Sequence, residues 1–245
     1  MATICMLLLK PRCLNGVAPK GYMKGILLGL ILGTAYVFQT YGLLYVSAAV
    51  SGFITGMFVV FTPLISWLIL KKRITLSTWV AVILAGIGLA ALSLRGWAMG
   101  KGELFTLICA LFVAIHIVGL GEWSVEYKPY GFTVIQLGTI AIVSSGIALL
   151  DGFSLPPDPQ AWLSIILTGI LATALAFLVQ TWAQSIARPT PVAVVLTMEP
   201  VFAGVFGVAL AGNVVTTRMV IGALCILTGM LLVQITDKTP NKHNK

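Results

Sequence analysis

The sequence predicts an all-α polytopic membrane protein, and three observations lead to this prediction. First, 59% of the 245 residues are hydrophobic and only 9% are charged, whereas soluble domains carry about 25% charged residues. Second, the mean hydropathy is +1.04. Third, the apolar residues form runs of about 20, the length at which an α-helix crosses roughly 30 Å of hydrocarbon. The runs lack the alternating pattern of barrel strands, so we expect helices, which satisfy their own backbone in lipid.

Eight such helices are predicted to cross the membrane. In chain order they cover 25–45, 50–70, 76–94, 104–121, 131–150, 161–183, 191–212 and 219–235. The first run has glycines four residues apart at Gly25, Gly29 and Gly33, and the second has Gly52 and Gly56. Small residues at this spacing let two helices approach closely, so these glycines are predicted to serve helix packing.

The opening MATICMLLL is apolar but too short to span a membrane, and no basic residue precedes its apolar part. It does not have the pattern of a signal peptide. We interpret it as the last turns of a helix.

The basic residues predict the topology. Connections on one side of the predicted membrane hold twelve of the 15 lysines and arginines, and connections on the other side hold three. The twelve are Lys10, Arg12, Lys20, Lys24, Lys71, Lys72, Arg73, Lys128, Arg188, Lys238, Lys242 and Lys245, and the three are Arg95, Lys101 and Arg218. Cytoplasmic connections are enriched in Lys and Arg. Both termini are therefore predicted to face the cytoplasm, in an inner or plasma membrane.

The chain also contains an internal repeat with an offset of 141 residues. This offset pairs Gln39-Thr40 with Gln180-Thr181, and it pairs Met57 with Met198, Thr75 with Thr216 and Gly88 with Gly229. Four helices lie between the two matched helices, so the repeat unit is five helices long, and an odd number inserts the second copy upside down, as in many secondary transporters.

The repeat divides the chain into an incomplete first unit at 1–95, a second unit of five helices at 103–236 and a cytoplasmic tail at 237–245. The first unit holds three helices where the second holds five. This difference predicts either two further helices encoded before Met1 or a truncated copy.

Three stretches carry a resemblance to a known family. They are VQTWAQSIARPTPVAVVLTMEPVFAGVFGVALAGNVVT at 179–216, IGALCILTGMLL at 221–232 and SAAVSGFITGMFVVFTPLISWLIL at 47–70. Together they resemble EamA-type permeases of the drug/metabolite transporter (DMT) superfamily. The resemblance implies ten helices in two inverted repeats, of which eight are present here, and export or exchange of small organic solutes. Lys72 and Asn213 stand where the family often has a glutamate, and the family's first two helices have no counterpart.

Glu199 is the only acidic residue well inside a predicted span, and Pro200 follows it. An ionised carboxyl near a helix centre costs roughly 2.5–3.5 kcal/mol on insertion scales. The side chain is therefore expected to face protein or water, or to hold a proton. Pro200 cannot donate to the carbonyl of Leu196, which predicts a kink or a local opening. A coupling proton site and a structural latch at the kink are both open interpretations.

Other polar residues within the spans also have two interpretations each. The matched pair Gln39 and Gln180 would lie near a midplane site between the repeats, or would form interhelical hydrogen bonds worth about 0.6 kcal/mol each. Tyr41 and Trp182 could stack on a substrate, although aromatic residues commonly face lipid or the interface. His116 could relay protons, although bonding of a neutral imidazole to a backbone carbonyl is the simpler interpretation.

Several functions are disfavoured by what the sequence lacks. It has no HExxH, phosphate-loop or GxSxG motif, and it has only two histidines. The four cysteines show no metal-binding spacing. We therefore expect neither an enzyme nor a bound metal or cofactor, and the net charge of +8 is assigned to topology rather than to nucleic-acid binding.

These observations predict a secondary transporter of small metabolites or drug-like solutes that works by alternating access in the lipid bilayer, with proton coupling through Glu199 as an option. The alternative is a truncated, non-transporting paralogue or assembly partner. A homo-oligomer is compatible with either interpretation.

Overall fold

The computed structural model describes residues 1–71, 75–95, 98–151, 156, 158–186, 195–196, 198–210, 212 and 214–236. Side chains at 92–95, 98–99, 150–151, 234 and 236 are not described. Several features considered above lie outside these residues: Lys72, Arg73, Arg188 and Asn213, the start of the span predicted at 191–212, and the tail at 237–245.

The described chain is helical almost throughout, as predicted. The helices are α1 (Ala2–Leu9), α2 (Pro19–Leu43), α3 (Ala48–Thr55), α4 (Phe58–Leu70), α5 (Leu76–Ser93), α6 (Lys101–Trp123), α7 (Pro129–Asp151), α8 (Pro159–Leu167), α9 (Ala176–Ile186), α10 (Met198–Ala209) and α11 (Thr217–Thr236). A 3₁₀ turn at Ser124–Glu126 follows α6, and a π-helical segment at Thr168–Leu175 joins α8 to α9. The short strands Leu94–Arg95 and Ala98–Met99 pair antiparallel between α5 and α6.

Helix ends follow local chemistry. The Asp158 carboxylate accepts a hydrogen bond from the Ala161 N–H at 2.7 Å, and Pro159 opens α8 at a position where no backbone donor is needed. Ser47 caps α3 in the same way by accepting from the Val50 N–H. Lys71 ends α4 in the left-handed conformation, with φ of 53°.

Among the described residues, five helical segments are long and apolar enough to cross a membrane. They are Pro19–Leu43, Ala48–Leu70, Lys101–Glu126, Pro129–Leu149 and Pro159–Ile186. Three shorter apolar helices, Leu76–Ala91, Met198–Ala209 and Thr217–Val233, coincide with the remaining predicted spans. The chain is thus a multi-pass helical membrane protein, and eight as the number of crossings stays a prediction.

The chain divides into two compact units, and each draws on both sequence repeats. The first unit comprises Met1–Gly33 and Gly119–Ala187, and the second comprises Thr34–Val118 and Arg188–Lys245. Helices α2 and α6 therefore contribute to both units. In the first unit, α1 packs on α7 and on the π-helical segment, while α9 packs on α7. The Tyr130 hydroxyl donates a 2.7 Å hydrogen bond to the Met6 carbonyl, which links α7 to α1.

The second unit has the larger apolar core, built from α3, α4, α5, α6 and α11. Its most extensive helix pair is α5 with α11. A Cβ on Gly88 would lie 2.6 Å from the Gly222 carbonyl and 2.8 Å from the Ile226 side chain. Reciprocally, a Cβ on Gly229 would lie 2.8 Å from the Ala81 carbonyl and 3.2 Å from the Ala85 Cβ.

These two sets of contacts are equivalent under the 141-residue offset, which pairs Gly88 with Gly229, Ala81 with Gly222 and Ala85 with Ile226. Such reciprocity is what a two-fold relation between equivalent helices produces. The helix pair thus places the two repeats face to face inside one compact unit.

Candidate functional site

Glu199 and Pro200 lie within α10, in the second unit. The Glu199 side chain is exposed, whereas Pro200 is buried. Thr197 lies outside the described residues, so the predicted local opening beside Leu196 stays a prediction.

Close packing holds the start of α10 against α3. Gly52 faces the Ala203 side chain directly, and a Cβ on Gly56 would lie 3.0 Å from Pro200 Cγ. In the same helix pair, a Cβ on Gly204 would lie 2.7 Å from the Phe53 ring. The structure therefore places Gly52 and Gly56 at a helix contact and seats Pro200 against them.

Three further groups of the second unit lie around Glu199. The Tyr36 phenol of α2 and the Cys109 thiol of α6 are both within electrostatic range of the Glu199 carboxyl. The Thr55 hydroxyl at the end of α3 lies beside the Cys109 thiol. Four elements, α2, α3, α6 and α10, thus meet around one carboxyl.

Within the part of the chain that the structure describes, Glu199 forms no ion pair and no hydrogen bond. The one salt bridge there joins Lys24 to Glu126. An accessible carboxyl at the level of an apolar run, without a cationic side chain beside it, can bind a proton or another cation. This is the chemistry that a coupling site requires.

Two buried hydroxyls adjoin this site. Ser51 is 1% exposed and Thr55 is 4% exposed, and neither oxygen has a hydrogen-bond partner of standard geometry among the described residues. The Cys109 thiol beside Thr55 is a weak donor and a weak acceptor. The two hydroxyls lie one turn apart, so they share a face of α3.

An aromatic cluster lies along α2 and α6 in the same unit. The Phe38 ring is 6.1 Å from the rings of Phe105 and Phe112, and the Tyr41 ring is 6.3 Å from Phe105. Cys109 is one turn from Phe105 and shares a face of α6 with both phenylalanines. Tyr41 itself is 40% exposed, which leaves its ring open to lipid or solute.

The remaining candidates are placed as follows. His116 is 1% exposed and interacts with a neighbouring group. Gln39 is half-buried in the second unit. Gln180, half-buried, and Trp182, 53% exposed, lie on α9 in the first unit. The predicted meeting of Gln39 with Gln180 stays a prediction.

Gly25, Gly29 and Gly33 line α2 where it approaches α7 in the first unit. A Cβ on Gly29 would lie 2.6 Å from Thr139 Cβ, and one on Gly25 would lie 2.8 Å from the Ile135 side chain. A Cβ on Gly33 would lie 3.8 Å from the Val143 side chain, which is an ordinary van der Waals contact. Only glycine fits the first two positions without displacing α7.

Two features of the structure were not expected from the sequence. The Lys24 ammonium donates a 2.6 Å hydrogen bond to Glu126 and lies 5.5 Å from the Trp123 ring and 5.4 Å from the Tyr127 ring. Lys24 had been assigned only to topology. Tyr36, Ser51, Thr55 and Cys109 were also missed, although the spacing of Ser51 and Thr55 in an apolar run was a usable signal.

Among the described residues, no three His, Cys, Asp or Glu side chains lie close enough together to hold a metal ion. The donors around Glu199 are a phenol, a thiol and hydroxyls. The site therefore suits protons and polar organic groups.

Comparison with protein families identifies a match that covers most of the chain. The EamA-like transporter family matches residues 1–94 and 100–235. The two matched segments contain every candidate site residue named above.

Individual relatives are also transporters by name. An uncharacterized transporter of Archaeoglobus fulgidus is 32% identical over 215 residues, which make up 87% of this chain and 69% of that protein. Human solute carrier family 35 member G1 is 28% identical over 228 residues, covering 86% of this chain and 62% of that protein. The uncharacterized transporter YoaV of Bacillus subtilis is 23% identical over 225 residues, covering 87% of this chain and 76% of that protein.

One solved structure, described only as the crystal structure of a protein, superposes with a TM-score of 0.60 over 94% of this chain and 93% of that chain. Its sequence identity is 16%. This likeness shows the fold alone.

Proposed function

The chain belongs to the EamA-like transporter family, and from that premise we propose that this membrane transporter is a secondary transporter of small metabolites or drug-like solutes. It works by alternating access in the cytoplasmic membrane, with both termini in the cytoplasm. Glu199 is the group that couples solute movement to a proton.

One observation carries the proposal of coupling. Glu199 is exposed at the start of α10, and it has no ion pair or hydrogen bond among the described residues. An unpaired carboxylate inside a bilayer is costly, so the group holds a proton whenever the site is closed from water. Opening toward water on either side lets the proton leave. Binding and release from opposite sides would tie proton movement to the conformational cycle.

The packing around Glu199 supports a movable site rather than a fixed one. At Gly52 and Gly56, only the small side chains of Ala203 and Pro200 separate the backbones of α3 and α10. Small side chains at a helix contact leave little interlocking to undo when the helices slide or separate. The surfaces on either side of Glu199 are therefore suited to changing access to the carboxyl.

A non-transporting paralogue is not favoured by the comparisons. The relatives described above carry transporter names, and the family match runs through both repeats. We therefore retain transport as the proposed activity and do not pursue that alternative.

The test is the pH dependence of transport in the Glu199→Gln variant. Glutamine keeps the shape and polarity of the side chain but cannot exchange a proton. With the purified protein in liposomes and a solute identified from a panel of radiolabelled metabolites, uptake by the wild type should vary with pH. Uptake by the variant should be flat over the same pH range, because its side chain cannot bind or release a proton.

The matched control is Glu126→Gln, which removes a carboxyl that pairs with Lys24 instead of facing the site. The control should retain the wild-type pH profile. An unchanged pH profile in Glu199→Gln would exclude proton coupling at this residue.

A further inference from the structure

The hydroxyls of Ser51 and Thr55 present an unexplained feature of the second unit. Buried polar atoms in folded proteins nearly always have a hydrogen-bond partner, because desolvation without one is unfavourable. Here both oxygens are buried, and neither has a partner of standard geometry among the described residues. Replacing either residue by an apolar one of similar size would suit this conformation better.

Other hydroxyls in the same unit show that the chain can avoid this situation. The Thr62 hydroxyl donates to the Phe58 carbonyl at 2.7 Å, and the Thr106 hydroxyl donates to the Gly102 carbonyl at 2.8 Å. Each thus bonds to the carbonyl four residues earlier in its own helix, the usual arrangement for threonine in an apolar helix. The Thr55 hydroxyl instead has the Cys109 thiol as its polar neighbour, and a thiol is only a weak hydrogen-bonding partner.

Further polar groups collect at the same end of α3. The Met57 N–H donates to the Ile54 carbonyl, and the Val59 N–H donates to the Gly56 carbonyl. These bonds reach back three residues instead of four, so the carbonyls of Phe53 and Thr55 lose their α-helical donors. Hydroxyl and carbonyl oxygens thus gather where α3 ends, next to the α6 face that carries Cys109.

The charge of this region selects the kind of group that could bind. The Glu199 carboxyl acts on the Cys109 thiol, which in turn lies beside Thr55. Hydroxyls can donate or accept, whereas freed carbonyls only accept. The set therefore suits a ligand group that donates hydrogen bonds and is neutral or cationic, such as a hydroxyl, an amide or an ammonium. An anionic group would be repelled.

We propose that Ser51, Thr55 and the freed carbonyls at the end of α3 form a binding subsite for a neutral or cationic, hydrogen-bonding group of the transported solute. The subsite is sealed in this conformation and opens when α3 separates from α6. This proposal rests on the proposed transport function. The unsatisfied hydroxyls raise the free energy of the sealed state, and a bound solute group satisfies them in the open state.

The first test uses stability and thiol accessibility, neither of which requires the natural solute. Serine replaces Cys5, Cys13 and Cys225, so Cys109 is the one remaining thiol. Ser51→Ala and Thr55→Val are then made in this background. Each should raise the melting temperature by roughly 2–4 °C, because an unsatisfied buried hydroxyl is removed. Each should also slow the reaction of Cys109 with N-ethylmaleimide about tenfold, because the sealed state gains population.

Thr62→Val is the matched control, since its hydroxyl is already bonded within its own helix. It should leave the rate of maleimide labelling unchanged and should not raise the melting temperature. A lower melting temperature in both Ser51→Ala and Thr55→Val would show that the hydroxyls stabilise this conformation, and it would overturn the proposal. So would a labelling rate equal to that of the parent, or a Cys109 that is never labelled.

A second test addresses the class of ligand. Methanethiosulfonate reagents convert the thiolate to a mixed disulfide and release methanesulfinate, and they are available with cationic trimethylammonium-ethyl and anionic sulfonatoethyl groups. At alkaline pH, where the carboxyl is ionised, the cationic reagent should label Cys109 at least about tenfold faster than the anionic one. Glu199→Gln should reduce this difference. Equal rates for both reagents, or a faster anionic reagent, would overturn the assignment of ligand class.

These outcomes are separable from those of the proton-coupling test. Flat pH dependence in Glu199→Gln together with unaltered Cys109 labelling in the hydroxyl variants would retain coupling and reject the subsite. Altered labelling with unchanged pH dependence would retain an opening subsite and reject coupling through Glu199.

Discussion

At the scale of single residues, Glu199 gains a setting that the sequence could not supply. Its position in an apolar run next to proline was visible in the sequence. The proximity of the Tyr36 phenol and the Cys109 thiol was not, because these residues are 163 and 90 positions away in the chain. One sequence does not determine which helix faces meet. Cysteine in particular reads as an apolar filler until its neighbours are known.

A residue-scale prediction concerns the Lys24 contacts in the first unit. Lys24 combines an ion pair to Glu126 with the rings of Trp123 and Tyr127. Lys24→Met removes both kinds of contact, whereas Glu126→Gln removes the ion pair alone. We expect a lower melting temperature for both variants and the larger decrease for Lys24→Met.

Ionic strength separates the two contributions in the Lys24 experiment. Adding salt to about 1 M shortens the screening length to roughly 3 Å, so the defect of Glu126→Gln should largely disappear while much of the Lys24→Met defect persists. Lys101→Met, which replaces an exposed lysine at the start of α6 with no ion pair among the described residues, is the control and should resemble the wild type. Equal, salt-insensitive defects in Lys24→Met and Glu126→Gln would show that the ion pair and the aromatic contacts were assigned wrongly.

At the scale of elements, hydropathy predicted where helices occur but not where they are interrupted. The span predicted at 104–121 is α6 at Lys101–Trp123, and that predicted at 131–150 is α7 at Pro129–Asp151. The span predicted at 50–70 is instead two helices, α3 and α4, separated at Gly56-Met57. No proline marks this junction, and the residues around it are as apolar as the helices themselves. The change in hydrogen-bond pattern at this junction therefore could not be predicted from the hydropathy of the sequence.

The contact between α5 and α11 gives an element-scale prediction. Gly88→Ala would place a methyl group 2.6 Å from the Gly222 carbonyl, and Gly229→Ala would place one 2.8 Å from the Ala81 carbonyl. Because a backbone carbonyl cannot rotate away, the helices must separate, at a cost of about 1–3 kcal/mol. Both variants should lower the melting temperature of the detergent-solubilised protein by similar amounts, since the contacts are equivalent under the repeat.

Gly86→Ala is the control on the same helix, because a Cβ there meets no atom within 4 Å. It should be neutral or slightly stabilising, since alanine favours helix over glycine. Tolerance of alanine at both Gly88 and Gly229 would contradict the close approach of α5 and α11.

At the scale of the whole molecule, the residues paired by the 141-residue offset told more about helix contacts than composition did. The offset that pairs Gly88 with Gly229 also pairs the residues that each of them contacts. The composition of the compact units was not predictable, because each combines helices from both halves of the sequence. That arrangement depends on which helix surfaces fit together, and apolar surfaces of nearly uniform composition do not reveal it.

The symmetry of the scaffold also sharpens the interpretation of Glu199. Its counterpart under the offset is Phe58, the first residue of α4. A charged group thus stands on one repeat where the other has a buried aromatic ring. The family membership establishes a transporter but not its energy source. Because only one repeat carries a carboxyl at this position, Glu199 is the residue on which the proposal of proton coupling depends.

The most direct measurement compares two modes of transport in liposomes containing the wild type or Glu199→Gln. One mode is accumulation of a solute driven by a pH gradient, and the other is exchange of labelled for unlabelled solute with no gradient. If Glu199 couples the proton, the variant retains exchange at a rate near that of the wild type and loses gradient-driven accumulation. If the variant still accumulates solute in response to the pH gradient, or loses both modes together, Glu199 is not the coupling group.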